Sequence, residues 1–277
     1  MTGASFDKAV SGGGIDPSAV QAKKSNLQQI VVVSSSRSGT NYLLGMYARC
    51  FPGDIVLREI FRRGGDSLTI ISQLIGVGEA DIVSDLLPDP LMLWRRIVDA
   101  GAVKGQSAIA KIFYGHVPRE SILWSYFRCN NIVVHLIRKN LLDSFVSLKV
   151  AQSTGVWVSR PGDERLDAPR RMSIDAREAE RFVRERAKHI SWARAYFSGS
   201  NYREIFYEDI QRSPEACVEA ILGMRLRDGA PSRAAQFGAP TKKHARPSNP
   251  AFIENYAEVA HLDRDWRELE DVLELSN

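Results

Sequence analysis

The sequence predicts an α/β fold: a mostly parallel central sheet of four to five strands flanked by helices on both sides. Three observations predict it. Ile30–Val33 is an unbroken β-branched run, the composition of a strand buried on both faces. It passes through Ser34-Ser35-Ser36-Arg37-Ser38-Gly39-Thr40 into Tyr42, Leu43, Met46 and Tyr47, which recur at helical spacing. Asn131–Arg138, NIVVHLIR, repeats the pattern, with a polar turn and a helical Leu141–Val150 behind it.

The first of these units has the architecture of a phosphate cradle. A helix start offers backbone N–H groups and the positive end of a dipole, worth up to about 2 kcal/mol to a well-placed anion. Small side chains let an anion approach the backbone. Ser36, Ser38 and Thr40 add hydroxyls, Arg37 adds a forked cation, and Gly39 and Asn41 complete the candidate set. The loop is not a Walker motif, because no Lys follows Gly39.

Ile55–Phe61 reads as a short strand or extended stretch, with Glu59 set unusually among apolar neighbours. Residues 66–101 are helical in pattern, in several pieces; Met92 and Trp94 read as core. Ala108–Tyr114 is the next strand. Lys111 interrupts it, and a lysine there must find a partner or reach water. His116, just after the strand, is a second candidate base beside Glu59.

Arg138 closes the NIVVHLIR strand. Asn140 is a natural helix cap, with Asp143 three residues on as in a capping box. Leu141, Leu142, Phe145 and Leu148 are expected to face the sheet. Ser147, nine residues after Arg138, shares another face with Ser144. A guanidinium and a hydroxyl so placed suit a phosphate. Residues 151–171 read as an irregular lid or loop, with Trp157 as loop anchor or stacking platform. Residues 174–198 read as a long amphipathic helix whose charges form a solvated face. Tyr202–Tyr207 reads as a final strand, followed by a helix near 214–223 and a basic loop carrying Lys242, Lys243 and Arg246.

Composition bounds the partners. A length of 277 residues suits one α/β domain, so 28–277 is expected to be a single domain behind a mobile tail, 1–27. A net charge of +4 is too small an excess to point to nucleic acid. Cys50, Cys129 and Cys217 are odd in number and far apart, which suggests a reducing, cytoplasmic setting. No apolar run of about 18 residues is present, so no membrane span is expected, and the N-terminus lacks a signal-peptide core. The oligomeric state, a homo-oligomer included, is left open.

On these residues the chain resembles the PAPS-dependent sulfotransferases, and among them the bacterial carbohydrate enzymes of the trehalose-modifying kind. R-S-G-T after a buried strand resembles their phosphosulfate loop, Arg138 with Ser147 their 3′-phosphate pair, and REIF around Glu59 the motif that carries their base. The resemblance implies a P-loop-NTPase-like sulfotransferase fold. It implies in-line transfer of a sulfuryl group from PAPS, leaving PAP, to a hydroxyl on a carbohydrate, glycolipid or glycosylated natural product, without a metal. By the same resemblance Arg37 and the Ser36–Asn41 loop hold the 5′ end of the donor. Lys111 lies near the transferring group, Glu59 or His116 is the base, and one of Lys242, Lys243 and Arg246 closes over the 3′-phosphate. Two rival readings are a nucleotide or small-molecule kinase, which would need magnesium ligands and a loop Lys, and a non-catalytic nucleotide-binding protein.

Overall fold

The computed structural model describes residues 27–157, 171–199, 201–213 and 248–269. Within them β1 (Gln29–Ser34), β2 (Ile55–Leu57), β3 (Ala108–Phe113), β4 (Ile132–Ile137) and β5 (Tyr202–Phe206) form one sheet in the order β2-β3-β1-β4-β5. Every pairing is parallel. From β1 the chain runs to the edge at β2, returns to β3 between them, then crosses to β4 and β5 on the other side. The order therefore reverses at β1, and the carboxyl ends of β1, β3 and β4 open together at that switch point.

The β-branched run behaves as its composition requires. Ile30 and Val32 pack on one face of the sheet, Val31 and Val33 on the other. Helix α1 (Thr40–Cys50) covers the first face with Leu43, Leu44, Met46 and Tyr47. The opposite face takes α2 (Leu68–Ile75), α3 (Pro90–Val103), α4 (Ile122–Asn130), α5 (Leu141–Thr154) and α6 (Ala176–Phe197). A short α7 (Tyr207–Arg212) returns to the α1 face through Ile210. Helices thus flank both sides, as expected, but unequally. Among the described residues no helix is long and apolar enough to cross a membrane.

Several details differ from the sequence reading. The strand expected over 55–61 stops at Leu57. There the chain turns: Ser67 Oγ accepts from the Arg58 N–H at 2.7 Å, and Gly65 lies so near the Glu59 carbonyl that a Cβ would come within 2.0 Å of it. Of the positions expected to face the sheet on α5, Leu148 is only half-buried while Val146 and Val150 are buried, because α5 packs against α6 as well as the sheet. Trp94 is fully buried core, whereas Met92 is exposed. The Trp157 side chain is 53% exposed, so it does not anchor its loop to the core. All but the last residue of the tail expected at 1–27, residues 158–170, the helix expected near 214–223, and Lys242, Lys243 and Arg246 lie outside the described residues.

Candidate functional site

The loop after β1 is held in a strained shape. Ser34 Oγ donates to the Leu136 carbonyl at 2.6 Å, tying β1 to β4, and the Ser35 and Ser38 hydroxyls pair at 2.8 Å. Arg37 has φ 65 and Gly39 has φ 87. Among the described residues the non-glycine positions with positive φ are Arg37 and Glu59, the latter at 22. Such backbone costs about 1–3 kcal/mol and persists where the surroundings enforce it. Gly39 shows the enforcement. A Cβ there would sit 2.3 Å from Cδ2 of the Tyr207 ring, so only glycine fits. No side chain caps the start of α1, and its first turn holds no acidic residue.

The loop brings the two predicted anion-binding turns together. Arg138 Nη1 donates to the Arg37 carbonyl at 3.2 Å, and Arg138 Nη2 donates to Asp143 at 2.9 Å. The Arg138 guanidinium lies over the Tyr207 ring, 4.9 Å from its centroid, and its Nε is buried with no partner among the described residues. Arg37 Nε donates to Ser147 Oγ at 3.0 Å, and Arg37 Nη1 to the Trp157 carbonyl at 2.6 Å. Ser147 therefore meets Arg37 rather than Arg138. Ser144, its alternative, is fully buried with its hydroxyl unpartnered among the described residues. Burial, and then the charge of Arg138, pulls Arg37 below its ordinary value. The two guanidinium groups are close enough to repel, and no carboxylate pairs with Arg37 among the described residues.

Lys111 occupies the next position across the sheet. It pairs with Val32 in register, and it is 1% exposed. Its ammonium donates to Asn41 Oδ1 at 2.9 Å and to Glu59 Oε1 at 3.0 Å, while Arg62 Nη1 donates to Glu59 Oε2 at 2.7 Å. Lys111 thus found its partners inside the protein, and two of its three donors are in use. Burial pushes Glu59 up, but Lys111, Arg62 and His116 outweigh it and hold the carboxyl below its ordinary value. Burial pulls Lys111 down, and Glu59 offsets only part of that. The carboxylate is nearer solvent than the ammonium and keeps its charge the more easily.

His116 sits close by, pulled down to about 4, chiefly by burial. Its Nδ1 accepts the Phe113 N–H at 3.3 Å, so the neutral ring carries its proton on Nε2. Of the other loop candidates, Ser38 and Thr40 are buried, and Ser36 Oγ accepts from Arg186 Nη2 at 3.5 Å.

Sequence reasoning missed four participants. Asp143 holds Arg138 instead of completing a capping box; only the Asn140 half forms, accepting from the Asp143 N–H at 2.9 Å. Glu208 takes the N–H groups of Lys139 and Asn140 at 3.0 and 3.4 Å. Tyr207 floors the loop. Arg186 reaches it from α6, whose charges read as a solvated face. Arg186 carried a signal of its own: it stands three residues after buried Val183 and four before buried Ile190, inside the apolar stripe.

Residues 107–258, more than half of the chain, match the family model described as Stf0 sulphotransferase. Nodulation protein H of Rhizobium tropici is 26% identical over 132 residues, 48% of this chain and 51% of that protein. The match therefore spans about half the length of this curated relative. Two solved structures are similar in outline. A sulfotransferase domain from the curacin biosynthetic pathway gives a TM-score of 0.45 at 14% identity, covering 88% of this chain and 86% of its own. A sulfotransferase domain from the Synechococcus PCC 7002 olefin synthase gives 0.43 at 15% identity, covering 87% and 88%.

Proposed function

The chain belongs to the Stf0 sulphotransferase family, and from that premise we propose that it moves a sulfuryl group from PAPS to an acceptor hydroxyl on a carbohydrate, glycolipid or glycosylated natural product. One observation carries the reading: the Arg37 and Arg138 turns lie within hydrogen-bond reach of each other, with the Lys111–Glu59 pair beside the same loop. A nucleotide charged at both ends fits that arrangement, and Arg138 Nε, without a partner among the described residues, leaves a donor for it.

In this mechanism the amides of the Ser36–Asn41 loop and the Arg37 side chain hold the 5′ end, and Arg138 orients the 3′-phosphate. Such orientation far from the reacting atoms lowers the barrier by fixing geometry in advance. Glu59 takes the proton of the acceptor hydroxyl as the oxygen–sulfur bond forms. The bond from sulfur to the bridging oxygen breaks, and the remaining donor of Lys111 meets the charge left on that oxygen. Glu59 is favoured over His116 by tautomer. The lone pair on His116 Nδ1 already accepts the Phe113 N–H, and a protonated Nε2 cannot act as a base.

The test is sulfuryl transfer from PAPS to a panel of sugar hydroxyls with EDTA present, alongside calorimetry with PAP. Glu59→Gln should lower kcat by about 10²–10⁴-fold while binding PAP within about threefold of the wild type. Turnover only with magnesium and ATP would replace the reading by phosphoryl transfer. PAP binding with no transfer to any hydroxyl would leave a nucleotide-binding protein.

A further inference from the structure

Arg186 forms no ion pair with the described residues. It lies on the buried stripe of α6, half-buried, with its guanidinium 4.9 Å from the centroid of the Phe182 ring. Its one hydrogen bond among them, to Ser36 Oγ at 3.5 Å, is at the limit of that interaction. A guanidinium stays charged at any working pH. Withdrawing it from water with no counter-charge is unfavourable unless an anion supplies one. Burial pulls Arg186 below its ordinary value, and Tyr114 and Glu185 offset only part of that.

A chain of hydrogen bonds ending at Tyr114 lies within electrostatic reach of Arg186. Tyr114 Oη and His135 Nε2 are 2.5 Å apart, as are His135 Nδ1 and Tyr202 Oη, and Tyr202 donates to Glu204 Oε1 at 2.8 Å. Glu204 is held as a carboxylate by Arg194, whose Nη2 donates to Oε2 at 2.6 Å. The protons of this chain can then run only one way. Tyr202 gives its proton to Glu204, His135 gives the Nδ1 proton to Tyr202, and Tyr114 gives its own to His135 Nε2. Burial pulls His135 down to about 3, which keeps it neutral for that role. Tyr114 is left with lone pairs only, electrostatically coupled to Arg186. The one hydrogen bond of Arg186 among the described residues points to Ser36, on the loop side, where an anion at the loop would meet it.

We propose that Arg186 is a third cation of the donor site, one that reads the sulfuryl end of the nucleotide through the Ser36 edge of the loop. The inference rests on the PAPS reading of the same site and deepens it. Arg37 and Arg138 serve the two phosphates; Arg186 distinguishes donor from spent product.

Binding of PAPS, in the absence of acceptor, and of PAP is measured by calorimetry for the full wild-type chain, Arg186→Ala and Arg186→Lys. Arg186→Ala should weaken PAPS by about 10–100-fold, the worth of a charge-assisted bond, and PAP by less than about threefold. Arg186→Lys, which keeps the charge and loses the fork, should fall between the wild type and Arg186→Ala for PAPS. Unchanged PAP binding also certifies that each variant is folded. Equal weakening of both nucleotides, or of neither, overturns the assignment while leaving the site reading intact. A wild-type chain that binds neither nucleotide overturns the site reading itself.

Discussion

The two strand–turn–helix units look alike in sequence and differ in what fills them. The start of α1 has Gly39 as its cap, which brings no side chain to its amides, and no acid in its first turn. The start of α5 is furnished by the protein. Asn140 accepts the Asp143 N–H, Glu208 accepts from Lys139 and Asn140, and Asp143 itself sits in the first turn. Those carboxylates occupy the positive end of the helix dipole that an external anion would otherwise use. An anion at the first turn can be held by backbone; at the second it has to be held by the Arg138 side chain. The same local architecture therefore gives two different grips, and the difference lies in whether the fold supplies its own anion.

The most damaging break in this contrast is Gly39→Ala. The new methyl meets the Tyr207 ring at 2.3 Å, and the backbone stays at positive φ, so loop and ring must separate. We expect PAP affinity to fall by at least about 100-fold and stability by about 1–3 kcal/mol. Adding Tyr207→Ala removes the clash and leaves the φ penalty, so affinity should recover only in part. A Gly39→Ala chain that binds PAP like the wild type would show that the α1 amides are not the grip.

Glu208→Gln acts on the other unit with a smaller effect and a split sign. It keeps one carbonyl acceptor and removes the charge, so melting and denaturant curves should report a loss of about 1–2 kcal/mol. The anion competing for the α5 start is gone as well. PAP should bind about two- to fivefold tighter at low ionic strength, with the gain fading as salt is added. Affinity falling together with stability would mean that Glu208 belongs to the nucleotide site instead of filling its place.

How legible each unit was follows from the range of its interactions. The Ile30–Val33 strand, the small-residue loop and the Asn140 cap are written in adjacent residues, and all three appear where their spacing put them. Lys111 announced a partner by interrupting an apolar strand, without saying that the partners are Asn41 and Glu59. Glu59 read as strand because its neighbours are apolar. The turn that holds it is set by Ser67 and Gly65, which no alternation pattern registers. Arg37 with Ser147, Lys139 with Glu208, and Arg186 with Ser36 join residues 110, 69 and 150 positions apart, and only the folded chain brings them together. The solvated-face reading of α6 failed at Arg186 because charge was weighed above its place in the stripe.

The smallest expected effect is a near absence of pH dependence, and it tests which unit carries the chemistry. Glu59 stands beside the α1 loop, and its carboxyl is held below its ordinary value of 4.5 by Lys111, Arg62 and His116 against the opposing effect of burial. A depressed carboxyl stays ionised as pH falls, and the base is lost only once pH drops through the lowered value. So kcat at saturating donor and acceptor should change by less than about twofold between pH 5.5 and 7.5. Arg62→Ala removes one of the two cations bonded to Glu59, and the acid limb should move up, because the charged form of Glu59 loses a partner at 2.7 Å. A wild-type limb centred near about 6.5 would instead assign the proton to an unperturbed imidazole. It would also take the chemistry away from the Lys111–Glu59 pair beside the open helix start.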